Sequence, residues 1–365
     1  MKKLRSSLIV ILASILVFGF ALGSLILPDK DVSDTERRPL KQFPKVSMQT
    51  VKDRTFMTDF ESYSLDQFPL RDKFRGLKSF TALNVFGQKD TNDLFVSENH
   101  IFKIDYPIST DSALRAANIF SDINNRYLND SNNVYLSIIP DKNYYLADKK
   151  GKLLLDYELL IKTLKEGCKF ADYIDISDLL TLDDFYRTDS HWKQENIGKV
   201  ADKLLESMNA QIVDSERVIV DTNKDFYGVY HGQLGLDLPP DNIKYVLDDS
   251  IFDAVVYNYE SQKYEDVYDL EKLNGVDPYE MYLSGPVSLL TIENKTNVGA
   301  KELVVFRDSF TSSMAPLILK GYSKITLIDI RYLSSKTLDN YIDFEDKDVL
   351  FLYSSSVINN SETLK

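Results

Sequence analysis

The sequence predicts an α/β fold with a mostly parallel central sheet. Short apolar runs, several of them rich in β-branched residues, have the length of buried strands. Several of these runs are separated by segments with helical periodicity, as expected when helices cover both faces of a parallel sheet. The chain has 365 residues, 44% of them hydrophobic, which is enough for a large core. The runs cover residues 133–140, 171–177, 302–306, 324–330 and 348–354.

Helices are predicted around the first strand and ahead of it. Residues 112–128 are amphipathic, and helix-compatible sequence continues to Gly167 after the strand. The segment 51–86 has aromatic and aliphatic residues at helical spacing, but Pro69 interrupts it. We therefore expect two helices joined near Phe68 and Pro69.

The amino terminus predicts a membrane anchor. Three basic residues within the first five precede an uncharged apolar run from Leu8 to Leu27. At ~1.5 Å per residue, this run can cross a ~30 Å hydrocarbon core, and the basic flank predicts that the rest of the chain is extracytoplasmic. A cleaved signal peptide is the alternative, since small residues at 21–24 follow a shorter apolar core. The anchor is favoured because the apolar run continues beyond that point.

The sequence predicts four regions. Residues 1–28 form a cytoplasmic tip and transmembrane anchor, and residues 29–50 form a polar, proline-punctuated tether. Residues 51–99 form a helical segment that is expected to pack on the main α/β domain, residues 100–365. Within that domain, residues 210–297 break the strand–helix rhythm and are rich in Tyr and Asp, so we interpret them as an insertion.

Composition excludes several classes of function. A net charge of -13 argues against nucleic acid and against extended contact with anionic lipid or wall polymer. A largely neutral substrate, or one met only in a cleft, fits better. The single cysteine, Cys168, cannot form an internal disulfide, and three histidines do not supply a Cys/His metal cluster. Because no phosphate-loop, dinucleotide or zinc-helix motif is present, we expect neither a metal nor a cofactor.

Asp189 and His191 form one half of a candidate catalytic device. In an extended segment, residues i and i+2 project to the same side, so the carboxylate can orient the imidazole and stabilise its protonated form. Helical spacing over 197–208 places the pair on a loop that enters a helix. The structural alternative is that Asp189 and Ser190 cap this helix and that Trp192 staples it to the core.

Ser309 is the candidate nucleophile. The strand 302–306 runs into Arg307-Asp308-Ser309, and helical sequence follows, so Ser309 occupies a strand-to-helix corner. Open α/β sheets bind ligands at this edge, and amides at the start of the following helix can stabilise an oxyanion. A helix cap is again the structural alternative. Five further residues are expected near the cleft, with ion-pair, surface or packing roles as the alternative: Arg307, Asp308, Lys142, Arg331 and Trp192.

Together the two segments resemble the DHHW protein family of Gram-positive bacteria, and more distantly the SGNH-hydrolase-like proteins of alginate O-acetylation. The resemblance is carried by TDSHW at 188–192 and FRDSF at 306–310. Those relatives are similar in topology to SGNH hydrolases but are circularly permuted, with Asp-x-His before the serine block. The likeness extends to further motifs across most of the exported chain, at 36–45, 66–74, 138–145 and 282–294.

The resemblance implies an SGNH-hydrolase-like sandwich in which Ser309 is the nucleophile, His191 the general base and Asp189 its orienting carboxylate. It implies a membrane-anchored O-acyltransferase, most simply an O-acetyltransferase, that modifies a cell-surface or secreted polysaccharide. In such systems a membrane-bound O-acyltransferase delivers the acetyl group. A carbohydrate esterase with the same triad and a non-catalytic polysaccharide-binding or scaffold protein are the alternatives. The chain departs from the SGNH pattern at Arg307, where those enzymes carry Gly, and at 284–286, where a Gly-Asn pair is expected.

Overall fold

The computed structural model describes residues 2–33, 35–236 and 238–365. Side chains of residues 2–6, 16 and 17 lie outside the described part, and these include the predicted basic flank at Lys2, Lys3 and Arg5. The chain divides into two compact units. The first comprises Met1–Phe95 and Val229–Leu238, and the second comprises Val96–Gly228 and Pro239–Lys365.

The helices and strands are numbered in chain order. The α-helices are α1 (Lys2–Ile26), α2 (Met48–Lys52), α3 (Thr55–Asp66), α4 (Arg71–Phe80), α5 (Thr110–Tyr127), α6 (Tyr157–Gly167), α7 (Gly198–Ser207), α8 (Val229–Leu234), α9 (Asp249–Phe252), α10 (Thr311–Ile318) and α11 (Ser355–Asn359). The strands are β1 (Val32–Ser33), β2 (Arg38–Pro39), β3 (Leu94–Ser97), β4 (His100–Lys103), β5 (Val134–Ile139), β6 (Asp172–Tyr173), β7 (Val218–Phe226), β8 (Asp241–Leu247), β9 (Val255–Asn258), β10 (Lys263–Glu265), β11 (Leu289–Glu293), β12 (Glu302–Arg307), β13 (Lys324–Ile328) and β14 (Asp348–Ser354).

The first unit is mainly helical. Within α1, Ser7–Ile26 is long and apolar enough to cross a membrane by length and composition. The predicted break in the helical segment lies between α3 and α4, where Leu70 adopts a left-handed conformation with φ of 59°. Pro69 supplies the local reason for the break, because it cannot continue the hydrogen-bonding pattern of α3. The bent helix pair predicted from the sequence is therefore present.

An eight-stranded sheet forms the centre of the second unit. Its strand order is β10-β9-β11-β13-β12-β14-β5-β6. The five strands from β13 to β6 are parallel, and β11, β9 and β10 continue the sheet as antiparallel strands. Along β12, Leu303 and Val305 face one buried cluster, while Val304 and Phe306 face the other. Because both faces are covered, the parallel strands have the continuous apolar sequence that predicted the α/β fold.

The stretch 210–297 contributes directly to this sheet. Its strands β9 and β10, together with β11, extend the sheet beyond β13, whereas β7 and β8 form a separate antiparallel pair. The sequence did not define these pairings. Four of the five residues of β11 are buried, which accounts for its apolar composition.

Strand β6 is shorter than the run that predicted it. Only Asp172 and Tyr173 form the strand, although Ile174 still donates a backbone hydrogen bond to Leu136. The Asp175 carboxylate then accepts hydrogen bonds from the amide and hydroxyl of Ser177, which turns the chain away from the sheet edge.

Candidate active site

The structure brings Asp189, His191 and Ser309 into one hydrogen-bonded series. His191 Nε2 lies 2.8 Å from Ser309 Oγ, and His191 Nδ1 lies 2.6 Å from Asp189 Oδ1. An ionised carboxylate only accepts hydrogen bonds, so Nδ1 carries the proton and Nε2 is left to accept from the serine hydroxyl. Asp189 is buried, whereas the His191 side chain is 15% exposed. This is the geometry of a nucleophile, a base and a group that orients the base.

The Asp189–His191 pair lies at the tip of a tight antiparallel turn rather than on an extended segment. Phe185 and Trp192 pair across the base of the turn, and the Tyr186 amide donates to the His191 carbonyl oxygen at 3.0 Å. Asp189 Oδ1 also accepts from the His191 amide at 3.1 Å. The pair therefore meets through an Asx-type turn, in which the carboxylate holds both the backbone and the ring of His191.

Lys142 holds this loop from inside the protein. It follows β5, is buried, and donates from Nζ to the carbonyl oxygens of Tyr186 at 2.9 Å, Arg187 at 3.2 Å and Asp189 at 2.7 Å. Burial lowers the pKa of Lys142 to about 7, while Asp189 and other carboxylates nearby favour its charged form. The side chain thus fixes the backbone of the loop instead of lining an open cleft.

Gly228 packs closely against the same loop. Its amide donates to Thr188 Oγ1 at 2.8 Å. A Cβ atom at this position would lie 2.3 Å from Asp189 Cβ and 2.4 Å from the Thr188 carbonyl oxygen. No side chain larger than hydrogen fits this contact, so the glycine is required where the chain leaves β7.

The corner that presents Ser309 is shaped by Asp308. Its carboxylate accepts from the Phe310 amide at 3.0 Å and from the Ser354 amide at 2.7 Å. The second bond ties the corner to the end of β14. Asp308 is buried and is therefore a structural part of the corner.

Trp192 and Gln194 connect the histidine loop, residues 185–192, to the serine corner. Trp192 is fully buried, and its Nε1 donates to the Phe310 carbonyl oxygen at 3.1 Å and to Ser313 Oγ at 2.9 Å. Gln194 Nε2 donates to the Ser313 carbonyl oxygen at 2.8 Å. Because these partners lie at the start of α10, the two residues set the distance between His191 and Ser309.

His191 contacts two aromatic rings. Tyr279 stacks on the imidazole, with ring centroids 3.9 Å apart and planes inclined by 15°. Phe310 lies on it at 4.8 Å with a tilt of 50°. The Tyr279 hydroxyl is 2.9 Å from Ser313 Oγ. These contacts restrict rotation of the imidazole and leave little room for water beside it.

The backbone amides after Ser309 are largely engaged, contrary to the expectation that they face the reaction. The amides of Phe310, Thr311 and Ser312 donate to Asp308 Oδ1, the Asp308 carbonyl and the Ser309 carbonyl. Within the described residues around this corner, no hydrogen bond occupies the Ser309 amide. It is the backbone donor at the corner that an oxyanion could use.

The two arginines expected near the cleft have internal partners. Arg307 is fully buried and donates to Ser312 Oγ at 2.7 Å and to the Val287 carbonyl oxygen at 2.9 Å. Arg331 forms a paired contact with Asp329, with its Nη2 2.6 Å from Oδ2. Arg307 therefore supports the serine corner, and Arg331 has the ion-pair role that was its alternative. Among the described residues, no group of three or more His, Cys, Asp or Glu side chains could hold a metal ion.

Solved structures share this fold at low sequence identity. A DHHW family protein from Eubacterium siraeum DSM 15702 matches with a TM-score of 0.59 and 17% identity, covering 76% of this chain and 97% of that chain. PatB1 of Bacillus cereus matches with a TM-score of 0.59 and 16% identity, covering 73% and 96%. The chain resembles both in fold. The predicted α/β architecture and its DHHW resemblance are thereby confirmed at the level of the fold.

A further solved structure matches with a lower TM-score. The O-acetyltransferase domain of Pseudomonas putida AlgJ matches with a TM-score of 0.45 and 11% identity, covering 73% of this chain and 92% of that chain. No protein-family model matches the sequence, and no curated protein matches it.

Several residues that build the site were not predicted from the sequence. Tyr279, Gln194, Gly228 and Ser313 carry no local motif that marks them. The Asp277-Pro278 pair before Tyr279 predicts a helical turn, and Asp277 does cap one, but nothing in the sequence places that turn on His191.

Proposed function

We propose that the chain is a membrane-anchored extracytoplasmic O-acyltransferase, most simply an O-acetyltransferase, that acts on polysaccharide hydroxyl groups. The observation that carries the proposal is the series from Asp189 Oδ1 through His191 to Ser309 Oγ, with distances of 2.6 and 2.8 Å. Each group has the partner that its role requires.

In the first half-reaction, Ser309 Oγ attacks the carbonyl carbon of an acyl donor while its proton passes to His191 Nε2. Asp189 stabilises the imidazolium that forms. The Ser309 amide donates to the developing oxyanion. The tetrahedral intermediate then collapses, the bond to the donor oxygen breaks, and that oxygen takes the proton from His191. An acetyl-serine ester remains.

In the second half-reaction, a sugar hydroxyl gives its proton to His191 Nε2 and attacks the acyl carbon. The new ester forms as the bond to Ser309 Oγ breaks, and Ser309 recovers its proton from His191. Water can replace the sugar at this step, which would make the protein a carbohydrate esterase. The packing of Tyr279 and Phe310 on His191 favours transfer, because it limits the space for water near the base.

The partners follow from this chemistry and from the amino terminus. The apolar helix Ser7–Ile26 would hold the protein at the membrane. An acetyl group that arrives through the membrane requires a donor embedded there, such as a membrane-bound O-acyltransferase. The acceptor would be a neutral or weakly charged polysaccharide, in keeping with the net charge of -13.

The proposal is tested with the full-length protein in detergent. A structure of PatB1 carries a sulfonyl adduct, so a sulfonyl fluoride is a suitable probe for the nucleophile here. We expect wild type to be labelled at Ser309 and to release chromophore from a small acetyl ester. Ser309→Ala and His191→Ala should each lose at least about 1,000-fold in turnover.

Ser361→Ala is the matched control, because Ser361 is also buried but its hydroxyl bonds to Ser112, away from the triad and from Lys142. It should keep its turnover. Adding an oligosaccharide acceptor should divert acetyl from water to the sugar. Ester turnover that persists in Ser309→Ala, or a wild type that neither turns over esters nor reacts with the probe, overturns the catalytic assignment.

A further inference from the structure

The helix α4 has an apolar face that is largely exposed. Leu70, at the amino-terminal end of the helix, and Phe74 and Leu77 within it follow one another at spacings of four and three residues, which places them on one side. They are 60%, 41% and 58% exposed. Three large exposed apolar side chains along one side of a ten-residue helix indicate that this side binds a partner.

A second side of α4 forms ion pairs with Glu36. Arg71 Nη1 lies 2.6 Å from Glu36 Oε2, and Arg75 Nη2 lies 3.2 Å from Glu36 Oε1. Two exposed lysines, Lys73 and Lys78, flank the apolar side. The helix therefore has the pattern of a segment that lies along a membrane surface, with lysine amines able to reach the headgroups.

The apolar face of α4 touches the candidate membrane helix within the same unit. Phe20 of α1 stacks on Phe68 with centroids 5.2 Å apart and meets Phe74 edge-on at 5.3 Å. A Cβ atom on Gly23 would lie 3.2 Å from Pro69 Cγ. The corner between α3 and α4 is thus packed against the last turns of α1.

These contacts fix the depth of α4 relative to α1. Phe20 lies two turns before Leu27, where the apolar run ends, which corresponds to roughly 10 Å along a helix at ~1.5 Å per residue. A helix that spans the bilayer up to Leu27 therefore carries Phe68 and Phe74 below the outer boundary of the hydrocarbon. Leu77 continues the same face from Phe74.

We propose that α4 lies in the outer leaflet beside α1 and inserts Leu70, Phe74 and Leu77 among the acyl chains. The partner is the lipid itself. This proposal rests on the membrane anchor of the proposed function. Together α1 and α4 hold the helical unit to the membrane by two elements, which restricts its tilt more than a single helix does.

The test uses the full-length protein reconstituted in phosphatidylcholine vesicles. Single cysteines are introduced by Leu77→Cys, Ile15→Cys and Val298→Cys, and each is labelled with a polarity-sensitive fluorophore. The replaced side chains are 58%, 63% and 78% exposed, so labels should not disturb packing. The native Cys168 is buried and its pKa is raised to about 12 by burial, which keeps it from reacting.

Lipids with a nitroxide near the headgroup end of the acyl chain then serve as quenchers. Because an interfacial helix buries its apolar face roughly 5–10 Å into the boundary, the label at 77 should be quenched at least about twofold more than the label at 298. Quenching at 15 but not at 77 overturns the α4 proposal alone. Absence of quenching at 15 overturns the membrane anchor, and the α4 proposal with it, while leaving the triad chemistry untouched.

Discussion

Replacing Lys142 by methionine tests whether the lysine positions the loop that carries Asp189 and His191. Methionine has a similar length and keeps the buried site filled, but it donates no hydrogen bond. The change therefore removes the contacts from Nζ to the carbonyl oxygens of Tyr186, Arg187 and Asp189. The Arg187 carbonyl oxygen also accepts from the Ile101 amide, so it keeps one hydrogen bond when Lys142 is replaced.

The effect on stability is the difference between two opposing contributions. Hydrogen bonds from a charged group contribute about 1.5–3 kcal/mol each, and three are lost. Against this, burial lowers the pKa of Lys142 from 10.5 to about 7, a shift equivalent to roughly 5 kcal/mol that methionine does not incur. Because the contributions are comparable, the free energy of unfolding at pH 7 should change by less than about 4 kcal/mol.

The dependence on pH has a definite sign. Between pH 7 and 10.5 the unfolded chain keeps the Lys142 proton, whereas the folded protein loses it. The contribution of Lys142 to stability therefore rises with pH through this window and is lost as pH falls towards 7. Urea unfolding should show wild type gaining roughly 2–3 kcal/mol relative to Lys142→Met between pH 7 and pH 9.

Turnover should respond more strongly than stability. Lys142 holds the backbone on both sides of Thr188, so its loss lets the imidazole move relative to Ser309. A displacement of about 1 Å can cost ~100-fold in rate, so kcat on an acetyl ester should fall by that order while KM changes little. Lys199→Met is the control, since Lys199 is half exposed and only approaches Asp184 at 3.9 Å. A Lys142→Met variant with wild-type kcat, or a stability difference that is flat with pH, would refute the reasoning.

Two further substitutions test the surroundings of the triad. Tyr279→Leu removes the stack on His191, which contributes about 0.5–1.5 kcal/mol, so kcat should fall about 2- to 12-fold, whereas Tyr279→Phe keeps the ring and most of the rate. Equal losses in both variants would assign the effect to the hydroxyl instead. Gly228→Ala drives a Cβ into Asp189 and should lower the free energy of urea unfolding by about 1–3 kcal/mol. Gly299→Ala is its control, since a Cβ there meets nothing within 4 Å, and equal stability of the two variants would contradict the close-packing argument.

The sequence predicted the parallel strands because burial on two faces leaves a strong signal. All seven residues of β14 are buried, and its predicted and observed bounds coincide at Asp348 and Ser354. Strand β6 gave a weaker result since it lies at the sheet edge and Asp175 ends it early. A continuous apolar run is thus a good predictor of a central strand and a poor one of an edge strand.

The antiparallel side of the sheet could not be predicted in the same way. In β9, buried and partly buried residues alternate, and one of its two buried residues is the polar Asn258. Strand β11 is apolar, but its neighbours are β9 on one side and β13 on the other, and neither pairing is encoded by a short turn. Pairing between strands that are distant in sequence leaves no local signal.

The sequence offers the three residues of the candidate site, but it does not offer the residues that support them. The sequence allowed the choice of Asp189, His191 and Ser309. A carboxylate, an imidazole and a hydroxyl that lie near helix starts usually serve either in catalysis or in helix capping. Tyr279 and Gln194 act through an aromatic stack and an amide hydrogen bond, which many Tyr and Gln residues make in any core. Their roles depend on tertiary contacts, so no pattern in the sequence distinguished them.

The residues that support the site act mainly through backbone acceptors. Lys142, Trp192 and Gln194 all donate to backbone carbonyl oxygens, either in the histidine loop or at the start of α10. A carbonyl oxygen is available at these positions whatever side chain follows it, so the partners of these three residues can change in sequence without breaking the contacts. These contacts therefore require particular side chains only at Lys142, Trp192 and Gln194 and not at their acceptors.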